Sequence, residues 1–296
     1  MRWTSSQEEV LQGIRQDSRS GAAQLAQRGA KLVLDALKQG KGEEIRALGK
    51  ALVDAQPAMA PIINLVNHLF QAIESLEDPQ EIREKGRAAV QGFLDSLITA
   101  LERIKVHALA LLQGKKVIMT LSYSSTVVGV LVLAQGIEVI CPESRPLCEG
   151  LRTAKELGAK GIRTRLVADL AALSLVKESD LVLVGADAIT PEGAVNKIGT
   201  YGLALAAREG KIPFYVLAGT EKFLPSPFSK TLRIEKKDPT EITCETIPHG
   251  KVENVYFDLT PLDLITGVVT QEGAIAGGEV RKQLEGMRIN KGLQKL

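Results

Sequence analysis

A chain of 296 residues, 45% of them hydrophobic, is long enough for one large or two ordinary domains and has the composition of a soluble globular protein. Its 37 basic and 35 acidic side chains leave a net charge of +2, without the basic excess that gripping a phosphate backbone requires, so direct nucleic-acid binding is not expected. Three cysteines without a CxxC pair, three dispersed histidines and no apolar run of membrane-spanning length exclude a legible metal centre and a membrane anchor, and point to a reducing cytoplasm.

From Ser5 to about Leu112 the apolar residues recur every three or four positions, as in AAQLAQRGAKLVLDAL, which predicts helices. Two helix starts are signed. SSQEE offers a capping box through Ser5 and Glu8, and EDPQEI places Asp78 as N-cap, Pro79 in the first turn and Glu81 three positions after the cap. The second start launches a long helix to about Gln113.

After Gly114 the pattern changes. KKVIMT, IEVIC, IRTRLV, DLVLVG, IPFYVLA and VENVYF read as short strands separated by helical stretches. Near-continuous apolar strands joined by helices predict an α/β fold with a Rossmann-like, doubly wound parallel sheet, covered on both faces. The expected division is a helical N-terminal domain over residues 1–113 and a Rossmann-like ligand-binding domain over 114–296. No repeat or flexible linker interrupts it, and the basic tail VRKQLEGMRINKGLQKL reads as a solvated helix face.

In a doubly wound sheet ligands sit at the carboxyl ends of the strands, and three of those ends carry unusual residues. TLSYSST brings hydroxyls, including Ser122, Ser124 and Ser125, to the start of an apolar helix, where orphan N–H groups and the helix dipole favour an anion. A serine that merely caps the helix is the alternative. CPESRPLCEG sets Arg145 behind a strand, to grip a phosphate or to pair with Glu143. GADAITPEGAVNKIGTYG ends a central strand on Asp187, whose carboxyl either faces the crevice as an acid or base or merely caps a turn. Asn196 and Lys197 follow as a polar grip, with a solvated Lys197 as the alternative, and Gly199 permits close backbone approach at the next helix.

GxGxxG after a strand, GxxxxGK[ST] and GxSxG are all missing, which removes the usual support for dinucleotide, P-loop and α/β-hydrolase readings. The pattern suits a small phosphorylated ligand, a sugar phosphate or a nucleotide, with no cofactor.

The stretch GADAITPEGAVNKIGTYGLALAAREGKIPFYVLAGTEKF, together with ESRPLCEG and TLSYSS, resembles one family. It unites the alpha, beta and delta subunits of eukaryotic translation initiation factor 2B with methylthioribose-1-phosphate isomerase and ribose-1,5-bisphosphate isomerase. The likeness runs from about residue 15 to 275 and implies a helical half followed by the Rossmann-like fold shared with ribose-5-phosphate isomerases and acetyl-CoA transferases. It implies that Asp187 acts on sugar hydroxyls and that Asn196, Lys197 and Lys222 line the pocket. Arg19, Gly21 and Ala22 match a motif that closes over phosphate, and Arg145 matches the arginine of the E-S/T-R-P motif.

One departure bears on catalysis. The family's isomerases carry THC where this chain has TLS, so Ser122 stands for the cysteine that partners the aspartate and Leu121 for the histidine. A thiol, with a pKa of about 8.5, exchanges protons near neutrality, whereas an aliphatic hydroxyl needs a helper base. The initiation-factor subunits also lack that cysteine. The resemblance therefore implies first a regulatory, ligand-sensing protein like those subunits, and as its alternative an aldose–ketose isomerase of a pentose 1-phosphate. Apolar positions on the helix EIREKGRAAVQGFLDSLITALERIKVHALALL and in TPLDLITGVVT predict a homodimer or a larger homo-oligomer.

Overall fold

The fold was derived from a computed structural model that describes residues 3–17, 20–57, 59–226, 228–230, 234 and 236–293. Helix α1 (Ser5–Arg15) starts at Thr4, whose hydroxyl accepts the Gln7 amide at 3.3 Å while the Gln7 side chain accepts the Thr4 amide at 3.0 Å. The capping box thus lies one residue earlier than SSQEE suggests, because Thr4 and Gln7 satisfy the same spacing. Helices α2 (Ala22–Ala36), α3 (Gly42–Ala55) and α4 (Ala60–Ala72) follow. Helix α4 buries Ile62, Ile63, Leu65, Val66, Leu69 and Phe70, apolar on almost every side, and so forms the centre of the helical half.

Helix α5 (Pro79–Leu111) begins as the sequence predicts, with the Asp78 carboxylate accepting the Gln80 and Glu81 amides at 2.9 and 2.8 Å. Its buried residues, from Ile82 through Val90 and Leu97 to Ile104 and Ala108, form one stripe at helical spacing. The first part of that stripe packs into the helical core and the last part onto the sheet, so one helix ties the two together.

Strands and helices then alternate: β1 (Val117–Met119), α6 (Ser125–Leu131), β2 (Glu138–Pro142), α7 (Glu149–Ala159), β3 (Arg163–Val167), α8 (Asp169–Leu175), β4 (Leu181–Gly185), β5 (Ala188–Ile189), β6 (Ala194–Lys197), α9 (Thr200–Gly210) and β7 (Phe214–Leu217). The chain closes with β8 (Phe257–Thr260), β9 (Gly267–Thr270), β10 (Gly273–Ala276) and α10 (Val280–Glu285). The main sheet runs β10-β9-β7-β4-β1-β2-β3, parallel except for the β9–β10 hairpin. The expected doubly wound sheet is present. Its strand order reverses between β1 and β4, which makes their carboxyl ends the switch point where a ligand crevice opens.

Three features differ from the sequence reading. VENVYF contributes only Phe257 to a strand, and β8 pairs antiparallel with β6 in a small sheet with β5 instead of joining the main one. Asn254 and Tyr256 are buried, and the Asn254 amide donates to the Asp238 carbonyl, so this stretch is anchored as a loop. TPLDLITGVVT buries Leu262, Ile265, Val268 and Val269 inside the chain, which removes it as surface for self-association. The basic tail is a solvated helix face only over its first part, where Arg281, Lys282 and Glu285 of α10 are exposed, and it departs from that reading beyond Glu285. Helix α10 stops at Glu285, Leu293 is buried, and Asn67 on α4 accepts the Asn290 amide at 2.8 Å. No helix among the described residues is long and apolar enough to cross a membrane.

Candidate functional site

At the end of β1 the chain turns sharply through Ser122, which holds a left-handed backbone with φ 64°. Two side chains keep it there. Its N–H donates to the Ser144 hydroxyl at 2.8 Å and its carbonyl accepts the Thr153 hydroxyl at 2.7 Å. Ser124 then caps α6, accepting the Val127 amide at 3.4 Å. The end of β4 must pass close by. A Cβ at Gly185 would lie 2.6 Å from the Ser124 hydroxyl, so glycine is what lets the two strand ends meet.

Two residues beyond Gly185, the Asp187 N–H donates to the Val195 carbonyl at 2.8 Å, which locks it into the β5–β6 hairpin. Asp187 is half-buried at the edge of the crevice. Burial pushes its pKa up, Lys222 and then Lys197 pull it back, and Glu149 adds to the rise. Lys197, on β6, is itself buried and donates to Glu149 Oε1 at 2.8 Å, while Glu149 Oε2 is buried with no hydrogen-bond partner among the described residues. Asn196 beside it donates to the Thr200 hydroxyl at 3.0 Å. Lys222 reaches the same space from the turn Thr220–Lys222 that follows β7, and is also buried.

These residues enclose one cavity of about 220 Å³ between the strand ends and the helical half. Ser122, Ser124, Ser125, Asp187, Asn196, Lys197 and Lys222 line it, as do Gly21 and Ala22 at the start of α2. Arg19 lies outside the described residues. Nearby, Asp17 accepts the Ser20 amide and hydroxyl at 2.8 Å each and the Arg28 guanidinium at 2.5 Å.

Arg145 is not brought to the cavity wall. Its N–H donates to Asp169 at 2.7 Å and its guanidinium donates to the Ile242 carbonyl at 3.3 Å. Gly199 serves another purpose than ligand approach. It takes a φ of 101° at the start of α9, whose first amides, those of Gly199 and Tyr201, donate to Asp258 at 2.8 and 3.1 Å. That helix end is already occupied by a carboxyl group, which burial raises to a pKa of about 6.

Glu149, Arg152, Tyr123, Tyr256 and Lys237 also line the cavity, and sequence reasoning passes over them. The Arg152 guanidinium lies 3.6 Å from the Tyr123 ring centroid, and the Lys197 and Lys237 ammonium groups lie 5.1 and 5.6 Å from the Tyr256 ring. Glu149 and Arg152 had one legible signal, their three-residue spacing just after strand β2. Among the described residues no group of three acidic, histidine or cysteine side chains is arranged to hold a metal ion.

A carboxyl group held towards its neutral form beside two buried ammonium groups can release a proton, then take one back as a carboxylate stabilised by the cations. Polar side chains around a small cavity at a sheet switch point form a crevice of the kind in which α/β folds hold small molecules.

The chain belongs to the initiation factor 2 subunit family, whose model matches residues 18–277. It is 34% identical to a ribose 1,5-bisphosphate isomerase of Archaeoglobus fulgidus over 90% of each chain. It is 33% identical to a putative translation initiation factor eIF-2B subunit 2-like protein of Pyrococcus horikoshii, over 90% of this chain and 95% of that one. The crystal structure of the Pyrococcus horikoshii translation initiation factor eIF-2B has the same fold, with a TM-score of 0.80 at 30% identity, covering 93% of this chain and 98% of that one. The resemblance read from the GAD, NK, EKF and ESRP stretches is therefore correct at the level of the family.

Proposed function

We propose that the cavity binds a pentose 1-phosphate and interconverts its aldose and ketose forms, with Asp187 carrying the proton. The observation that carries this reading is the Asp187 carboxyl, which lines the cavity at the switch point together with the buried Lys222 and Lys197. A site that only senses a phosphate has no need of a carboxyl group among its ammonium groups. Identity to a ribose 1,5-bisphosphate isomerase over nine-tenths of both chains supports the same choice over the regulatory reading.

The reaction needs no oxidant. Ring opening breaks the bond between C1 and the ring oxygen, which takes a proton. The C2 hydrogen leaves as a proton, a proton is added at C1, and the C2 hydroxyl loses its own, so protons and electrons balance. Neutral Asp187 supplies the first proton and, once ionised beside Lys222, accepts the one from C2. Lys197 holds phosphate.

A second reading, a regulatory protein that binds a sugar phosphate or nucleoside monophosphate without turning it over, is favoured by Ser122. Its hydroxyl lines the cavity where the family's isomerases place a thiol. Turnover of ribose 1,5-bisphosphate separates the two. The parent protein is expected to form the ketose bisphosphate slowly, and Ser122→Cys to raise the rate at least tenfold, a fraction of the 10² to 10⁴ that general acid–base catalysis is worth. A parent and a Ser122→Cys protein that both bind the sugar and both stay inert would leave the regulatory reading standing.

We also propose that the chain self-associates through the outer face of α5, where Ile98 and Val106 are 62% and 68% exposed two turns apart. Sedimentation at micromolar concentration is expected to show a dimer or larger species, and Ile98→Glu with Val106→Glu to give monomer; a parent that sediments only as monomer contradicts this.

A further inference from the structure

Helix α4 carries one polar side chain that its packing does not explain. Asn64 is 5% exposed, with the buried Ile62, Ile63, Leu65 and Val66 around it in sequence. A primary amide in such surroundings is costly unless its hydrogens are paired. Both are paired outside the helical half. The side-chain amide donates to the Glu221 carbonyl at 2.6 Å and to the Phe223 carbonyl at 2.9 Å. Since both partners are carbonyl oxygens, the NH₂ end of the amide must face them.

Those carbonyls belong to the residues immediately before and after Lys222. One side chain thus grips the backbone on both sides of a buried lysine that lines the cavity. The start of the same turn is held separately, by Gln271, which accepts the Thr220 amide at 3.1 Å and donates to its hydroxyl at 2.6 Å. Its end is tied to the β5 strand through the Leu224 amide and the Ile189 carbonyl at 2.8 Å. Between these two anchors, Asn64 holds the Glu221 and Phe223 carbonyls from the helical half.

A lysine side chain has many rotamers, so its ammonium stays at one point in a cavity only if its backbone is fixed and its stem is packed. We infer that Asn64 is a positioning residue that fixes Lys222 against Asp187, so that the helical half sets the charge arrangement of the reaction site. The inference rests on the proposed role of the cavity and adds a residue to it. It gives α4 a part in function besides that of a core helix. The Lys222 ammonium opposes the burial-driven rise of the Asp187 pKa, so a shift of its turn should register in the titration of Asp187.

The test is a double-mutant cycle of Asn64→Leu and Lys222→Met with two readouts: affinity for ribose 1,5-bisphosphate by calorimetry, and the titration midpoint of Asp187 by carbon NMR of aspartate-labelled protein. Asn64→Leu is expected to weaken binding about tenfold, the scale of one to two lost hydrogen bonds, and to raise the Asp187 midpoint in the direction that Lys222→Met does. In the Lys222→Met background it should add less than twofold. Asn64→Gln, which keeps the amide on a longer arm, should recover part of both effects, and Asn64→Ser replaces leucine if that variant does not fold. A lowered melting temperature with unchanged affinity and midpoint, or equal losses in both backgrounds, makes Asn64 a structural tie only. If Lys222→Met itself leaves binding intact, the ligand reading falls, and the Asp187 midpoint alone still decides the role of Asn64.

Discussion

Replacing Lys197 with methionine is expected to lower the unfolding free energy by about 3 kcal/mol and to abolish binding of phosphorylated sugars. The ammonium is almost fully buried, with 4% of its side chain exposed, and its partner Glu149 keeps 24%. Removing one member of a buried pair strands the other, which costs about 3–5 kcal/mol; the partial exposure of Glu149 argues for the lower end. Among the described residues Glu149 Oε2 already lacks a partner, so the variant would leave both carboxylate oxygens unpaired next to Asp187. Adding Glu149→Met should restore most of the stability but none of the binding, because the stranded charge goes while the phosphate grip stays absent. Urea unfolding of the single and double variants measures the first part and ligand titration the second. A loss below 1 kcal/mol in the single variant would mean that the pair behaves as an exposed one.

Asp187→Asn should cut turnover by a factor of about 10² to 10⁴ while making the protein more stable at alkaline pH. Burial raises the folded-state pKa of this carboxyl above the unfolded value of 3.8. The folded state therefore binds the proton more tightly than the unfolded one. Its contribution to stability is complete below 3.8 and is lost as pH rises through the folded value. Asparagine is neutral at every pH, so the variant's melting temperature should exceed the parent's at pH 8, with the gap closing as pH falls towards the unfolded value. A variant less stable than the parent at pH 8 would show instead that Asp187 is ionised and paired with Lys222 in the resting fold.

The sequence made the helical half readable because its helix starts carry their own chemistry: Asp78, Pro79 and Glu81 act where they stand, without help from distant residues. Thr4 took the place of Ser5 for the same local reason, an equivalent capping spacing one residue earlier. The β9–β10 hairpin was hidden. GVVT is a short apolar run, and periodicity does not distinguish a buried strand from an exposed adhesive segment.

At the site, Asp187, Lys197 and the serines after β1 were legible because a parallel sheet dictates that strand ends meet a ligand, and Lys222 because the EKF stretch resembles the family's. Arg145 also follows a strand end, yet its guanidinium reaches the Ile242 carbonyl in a loop almost a hundred residues further along the chain. Tyr256 and Lys237 come from that same long connection, and Asn64 from the middle of an apolar helix. What places them is tertiary packing, which leaves no period in the sequence.

Whether Asp187, Lys197 and Lys222 share one phosphosugar is decided by a crystal structure of Asp187→Asn soaked with ribose 1,5-bisphosphate, since the variant holds the substrate without turning it over. The sugar is expected in the cavity between Ser122 and residue 187, with the amide side chain within hydrogen-bond distance of the ring oxygen or the C2 hydroxyl and a phosphate oxygen within ion-pair distance of Lys197. A sugar bound elsewhere on the protein, or seated in the cavity with its C1 and C2 turned away from residue 187, would contradict it.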